Sequence, residues 1–227
     1  MKVGLVSANF GGIDVPKALP PLPGEMKAHY YTDRLLPEDV RATWTTATVL
    51  PPGINPRLSA KMYKCQVYRF AGEADAYIWA DAAFRFLDLP FFVNEASRLN
   101  PDEGAFIPHP FRKTVQEEYE YVLRGLRSGS AYLNARYTIK EFEREMAHFR
   151  RRGHRLDQMK LWSGGLWILR HGPKTVRFLD SWWRCVQDFS VMDQPGISSL
   201  LDEAGVRARV LDIPLYRSPY HVHEAHL

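Results

Sequence analysis

The chemistry available to this 227-residue chain rests on a few acidic and basic side chains whose spacing suits a ligand site. Asp75-Ala-Tyr-Ile-Trp-Ala-Asp-Ala-Ala-Phe84 carries the β-forming run Tyr77, Ile78 and Trp79 and delivers Asp81 to its carboxyl end. An unbroken apolar run of this kind fits a strand covered on both faces of an α/β sheet. Ligands of such sheets bind beyond the carboxyl ends of the strands. Asp81 could therefore hold a divalent cation, Mn²⁺ or Mg²⁺, which takes hard oxygens from a carboxylate and a diphosphate. Its alternative role is to cap the following turn.

Upstream, Arg57, Lys61 and Lys64 are spaced by four and three residues, which puts them on one face of a helix. They could neutralise a diphosphate, Arg57 by bidentate contact and the lysines as point charges, or simply form a solvated face. Asp33 ends the run Ala28 to Asp33, where a carboxylate can meet a ribose hydroxyl or base, or cap the loop before Pro37. Asn9-Phe-Gly-Gly12 closes the first apolar run, and its glycines permit either close approach to a ligand or a plain turn. The spacing is not GxGxxG.

Later in the chain, Phe106-Ile-Pro-His-Pro-Phe-Arg112 reads as a loop in which two prolines hold His109 and Arg112. In Leu161-Trp-Ser-Gly-Gly-Leu-Trp-Ile-Leu169, Ser163 and Gly164 read as a turn entering a strand from Leu166 to Leu169. No GxSxG pattern is present there to suggest a hydrolase. Asp193-Gln194 precedes a helix from Gly196 to Ala204, so Asp193 could cap that helix or line a pocket. His221, His223 and His226 could supply a metal ligand or a donor to phosphate, or lie in a disordered tail. The densest basic cluster, Arg150, Arg151, Arg152 and Arg155, follows a helix. It suits a helix carboxyl end or a polyanion such as nucleic acid.

The elements that must position these residues alternate between strand and helix. Strands are expected at 2–9, 28–33, 43–49, 75–81 and 208–213, with an edge strand at 82–86, another short apolar piece at 91–93 and a turn at Pro51-Pro-Gly53. Four prolines between Pro16 and Glu25 exclude helix and central strand. Helices are expected at 114–127, from Thr138 with Glu141 at capping-box spacing, and from Pro173. The size and the 45% hydrophobic and 25% charged content suit one globular domain over residues 1–227. No run approaches a membrane span, and the amino-terminal run reads as a strand rather than a signal peptide, so a cytosolic location is expected. Cys65 and Cys185 form no zinc pattern and read as small core residues. The net charge of +4 favours anionic partners.

The order of these motifs resembles the type-A fold of nucleotide-sugar glycosyltransferases. It resembles more closely the glycosyltransferase-like family long labelled a domain of unknown function, with plant members linked to wall and mucilage polysaccharides. Arg57-x-x-x-Lys61-x-x-Lys64 followed by Tyr77-Ile-Trp-x-Asp81 is similar to that family's basic helix and metal-strand signature. His109-Pro-x-Arg112 with Glu117 or Glu118 is similar to its middle motif. The strand after Gly165, the tryptophan-bearing helix and Asp193-Gln194 are similar to its acceptor half.

The resemblance implies an α/β fold with a mostly parallel central sheet, a donor half over about 1–100 and an acceptor half over about 101–227. It implies donor contacts from Asn9, Asp33, Arg57, Lys61, Lys64 and Asp81, with a UDP-sugar as donor. Acceptor contacts would come from His109, Trp162, Gly164, Gly165, Asp193 and Gln194. Asp193 would be the base of an inverting reaction, and Arg112, with Lys61 and Lys64, would offset leaving-group charge. The usual DxD motif is here Asp81-Ala-Ala83, so His221 or His223 would complete a metal site. The acceptor could be a glycan, a protein or a hydroxylated base in DNA. The alternative is a non-catalytic nucleotide or nucleic-acid binding protein on the same fold.

Overall fold

A computed structural model describes residues 1–51 and 55–224. Pro52 and Gly53 of the expected turn and His226 of the tail lie outside the described residues. The strands are β1 (Val3–Asn9), β2 (Lys27–Thr32), β3 (Thr46–Val49), β4 (Ala76–Ala80), β5 (Phe84–Phe86), β6 (Glu103–Pro108), β7 (Trp162–Arg170), β8 (Arg207–Val210) and β9 (His221–His223). The helices are α1 (Glu38–Arg41), α2 (Pro56–Cys65), α3 (Val67–Phe70), α4 (Leu89–Ser97), α5 (Val115–Arg127), α6 (Ala131–Asn134), α7 (Ile139–Arg151), α8 (Pro173–Asp188) and α9 (Ile197–Ala204). None is long and apolar enough among the described residues to cross a membrane.

A seven-stranded sheet in the order β3-β2-β1-β4-β7-β6-β8 carries the fold, and β5 pairs separately with β9. Six of the seven strands point one way and β7 runs against them, antiparallel to both β4 and β6. The expected mostly parallel sheet flanked by helices is therefore present. Alternation along each strand divides the core in two. Tyr77, Trp79, Trp167 and Leu169 face a cluster completed by α2, α5, α7, α8 and α9. Ile78, Ala80, Leu166 and Ile168 face another, completed by α4 and by Leu19, Met26 and Trp44.

Helix signals in the sequence translate directly. Asn55 caps α2 with Pro56 in its first turn, and Thr114 with Glu117 and Thr138 with Glu141 form capping boxes on α5 and α7. Two expectations are corrected and two readings left open are resolved. Phe91 to Val93 lies in α4, where Asp88 caps and Pro90 enters the first turn; a short apolar run alone does not distinguish strand from helix. Phe106 to Pro108 ends β6 and only the residues after it form a loop; the proline sits at the strand end, where it is tolerated. Ser163 and Gly164 lie inside β7 rather than in a turn, because both neighbouring strands pair with it. The tail forms β9 against β5, with His223 opposite Phe84.

Candidate active site

The common direction of six strands gathers their carboxyl ends on one edge. Asn9 ends β1, Asp33 follows β2, Asp81 follows β4 and His109 follows β6. Because β7 is reversed, it begins on that same edge, with Trp162, Ser163 and Gly164. Chain leaving β1 goes to β2 on one side, whereas β4 lies on the other, so a crevice opens between β1 and β4 where the order reverses. Its cleft is lined by Asn9, Arg57, Lys61, Asp81, Arg136 and Tyr137, among others. The α2 face lays Arg57 and Lys61 along it, with Lys64 on the same face but buried.

Two lysines and two carboxylates interlock on the cleft floor. Asp81 lies two residues beyond Trp79 and shares its side of the strand. The Trp79 Nε1–H donates to Asp81 Oδ1 at 2.7 Å, and Lys64 Nζ lies 3.3 Å from the same oxygen. Lys64 Nζ also lies 2.5 Å from Asp193 Oδ2, which Lys61 Nζ approaches to 2.9 Å. The Lys64 side chain is 1% exposed and that of Asp193 7%, whereas Asp81 is 37% exposed and opens to the cleft. Gly164 makes the room: a Cβ there would stand 3.2 Å from Lys64 Nζ and 3.4 Å from Asp193 Oδ1.

The electrostatics of this cluster bear on the role expected of Asp193. Burial alone would raise its pKa, but Lys61 and Lys64 outweigh burial and hold the carboxyl well below its ordinary range. A carboxylate so stabilised is a poor proton acceptor. Asp193 is the counter-charge of both lysines in this structure. It does not cap α9, whose amino end has no side-chain cap. On Lys61, burial lowers the pKa, yet Asp193 and Asp81 raise it further and keep the ammonium charged.

A second polar chain runs beside the first. The Gly164 amide donates to Gln194 Oε1 at 3.4 Å, Gln194 Nε2 donates to Glu118 Oε1 at 3.5 Å, and Glu118 pairs with Arg112. Burial raises the Glu118 pKa against the opposing pull of Arg112 and Gln194. His109 Nδ1 accepts from the Arg112 and Phe111 amides at 3.1 and 3.3 Å, and its Nε2 lies 3.2 Å from Arg112 Nη2, so both ring nitrogens face donors. Burial and then the neighbouring Arg112 push the His109 pKa down to about 4, so the ring is neutral at pH 7. From here a line of rings leads back to the cleft floor. Exposed Phe111 lies 5.9 Å from Tyr216, Tyr216 5.7 Å from His223, and His223 4.7 Å from Phe84, whose ring packs beside Gly165.

Several expected site residues also make contacts within the protein. Both Asp33 oxygens accept from the Gly11 amide, at 3.1 and 2.9 Å, so this carboxylate pins the loop after β1. Asn9 accepts from the Asp14 amide and donates to its carbonyl. Trp162 is buried against Phe106 under Lys160. His221 is fully buried, its Nδ1 on Ser218 Oγ and its Nε2 on the Leu215 carbonyl, so it is not free to ligate a metal. Arg136 and Tyr137 line the cleft without having been singled out in the sequence. They follow α6, a single turn with no amphipathic signal to mark it.

No family model matches the chain, and no curated protein matches it in sequence. A solved structure does resemble it. The apo form of mouse xyloside xylosyltransferase 1 aligns over 93% of this chain and 85% of its own, at 11% identity and a TM-score of 0.49. A likeness of that degree assigns neither a residue role nor a substrate to this chain.

A protein-held Mn²⁺ or Mg²⁺ does not fit the residues present. Such ions take several oxygen ligands. Asp81 offers a single carboxylate, one of whose oxygens is already engaged by Lys64 and Trp79. Ala82 and Ala83 follow where a second carboxylate would be needed, and His221 is engaged within its own turn. Among the described residues no group of three His, Cys, Asp or Glu side chains gathers to hold a metal.

Proposed function

We propose that this chain is a glycosyltransferase that moves a sugar from a nucleoside diphosphate donor to a hydroxyl acceptor. The observation that carries the reading is the cleft at the β1–β4 crevice, where Arg57 and Arg136 line the same space as Asp81. Neither guanidinium has an ion-pair partner among the described residues; Arg136 stacks on Tyr132 at 3.6 Å. Paired cations at the carboxyl edge of a parallel sheet suit a diphosphate, and a carboxylate beside them suits the hydroxyls of the sugar it carries.

In this reading Arg57, Arg136 and Lys61 bind the diphosphate, while Asp81, through the oxygen that Lys64 and Trp79 leave open, accepts from donor hydroxyls. In transfer, the bond from the sugar's anomeric carbon to the β-phosphate oxygen breaks and a bond to the acceptor oxygen forms. The acceptor proton passes to solvent water, and the nucleoside diphosphate leaves with the bonding electron pair. The cations stabilise the charge that builds on that leaving group. The acceptor enters along the rings from Phe111 to Phe84, past neutral His109.

The test is titration of the protein with a panel of UDP-, GDP-, ADP- and CDP-sugars, followed by chromatography for released nucleoside diphosphate. Binding of one donor, weakened about tenfold in Arg57→Ala, with slow hydrolysis or transfer, supports the transferase. Binding without turnover towards water or any offered glycan, peptide or DNA acceptor would favour the non-catalytic binder. Absence of binding to every donor would remove the reading.

A further inference from the structure

We propose that the Lys64 ammonium occupies the place of a divalent cation, so that the donor diphosphate binds without metal. This rests on the transferase reading above and deepens it. Lys64 Nζ bridges Asp81 Oδ1 at 3.3 Å and Asp193 Oδ2 at 2.5 Å, the position a cation shared by two carboxylates would take.

The lysine is held there on every side. Its side chain is buried, and its ammonium lies 5.6 Å from the Trp79 ring centroid and 5.9 Å from that of Trp182. Trp182 is itself fixed, donating from Nε1 to the Asp193 carbonyl at 3.0 Å. The absent side chain of Gly164 provides the space, since a Cβ there would press on Nζ and on Asp193. A divalent ion arriving at Asp81 would meet a positive charge already seated and screened little by solvent.

Charge balance points the same way. Lys61 and Lys64 offset Asp81 and Asp193, so the cluster is neutral before any ligand enters. Arg57 and Arg136 remain as additional cations of the cleft. Each phosphate of a sugar nucleotide carries a negative charge, which these guanidiniums offset, with Asp14 also lining the cleft.

Removing Lys64 should reverse the preference. In Lys64→Ala, Asp81 and Asp193 would be left converging on an empty, solvent-sized space, a pair able to take Mn²⁺. The experiment is isothermal titration of the full chain with UDP, GDP, ADP and CDP, in chelator and again in Mn²⁺, together with Mn²⁺ alone monitored by electron paramagnetic resonance. The wild type is expected to bind one nucleotide with an affinity equal within about twofold in the two conditions, and to show no Mn²⁺ binding of its own. Lys64→Ala is expected to lose about tenfold or more in chelator, to regain part of that in Mn²⁺, and to bind Mn²⁺ alone. Wild-type nucleotide binding that requires Mn²⁺ would overturn the inference while leaving the transferase reading intact. Absence of nucleotide binding in both conditions would remove both. Should Lys64→Ala fail to fold, the two wild-type titrations decide the matter alone.

Discussion

Two arginine- and lysine-rich stretches, the inner face of α2 and the carboxyl end of α7, look alike in composition and behave oppositely in the fold. On α2, helical spacing turns Lys61 and Lys64 onto Asp193, with Lys64 also reaching Asp81, inside the protein. At the end of α7, Arg150, Arg151, Arg152 and Arg155 stand exposed. Arg152 pairs with Glu203 at 2.5 Å, Arg155 approaches Asp157 at 3.5 Å, and Arg150 donates to Gln116. The difference teaches that the number of cations says little about a site. What matters is whether periodicity aims them at one point of low dielectric or a run of neighbours fans them into water. The surface cluster reads accordingly as a helix carboxyl end with its own counter-charges, which weakens the case for nucleic acid as acceptor.

The strongest way to break the comparison is Asp193→Asn. It leaves two buried ammoniums without their principal counter-charge, and loss of one partner from such a cluster costs about 3–5 kcal/mol. Chemical denaturation should show that loss; a change as small as that of a surface pair, about 0–1 kcal/mol, would show the cluster to be solvated.

Next in size is Glu145, on the inward face of α7 and 1% exposed, with the Cys185 thiol 3.8 Å away. Burial pushes its pKa up from 4.5 to about 8. The folded protein then keeps a proton that the unfolded chain gives up above its ordinary value, so stability falls as pH rises from about 4.5 to about 8 and levels beyond. Glu145→Gln should remove this slope and be more stable at pH 8 by on the order of a few kcal/mol. Denaturant midpoints of the two proteins at pH 5 and pH 8 check the sign.

Smaller again is Arg57→Ala, expected to weaken donor binding about tenfold, or about 1.4 kcal/mol, with stability unchanged. Calorimetric titration beside a thermal melt separates the two. The smallest effect is expected from changing Arg150, Arg151 and Arg152 together to Ala. Donor affinity should stay within about twofold, and stability within about 1 kcal/mol. A salt-sensitive affinity for DNA that this triple change abolishes would restore the surface cluster as a functional one.

Much of the layout was legible because local chemistry and global fold agree. The α2 spacing, the capping boxes at Thr114 and Thr138 and the run ending at Asp81 each encode their element within a few residues. What could not be read depends on partners distant in sequence. Asp193 looks like a helix cap until α2 brings Lys61 and Lys64 against it. Asp33 looks free until the Gly11 amide reaches it across the sheet edge. His221 looks like a ligand until Ser218 and Leu215 fold around its ring. Arg136 carries no pattern at all, and only the packing of α6 against α5 brings it to the cleft.

The reversed strand β7 has a kinetic meaning as well. Among the described residues it alone joins the β3-β2-β1-β4 block to the β6-β8 pair within the sheet, and it comes late in the chain. The amino-terminal strands must therefore wait, with the β4 edge unpaired, until residues 162–170 have been synthesised and inserted. Pairings of such long sequence separation form slowly, and an open hydrophobic edge invites association during the delay. Refolding yield should consequently fall with protein concentration, and chaperone demand should centre on the interval between the emergence of β4 and the arrival of β7.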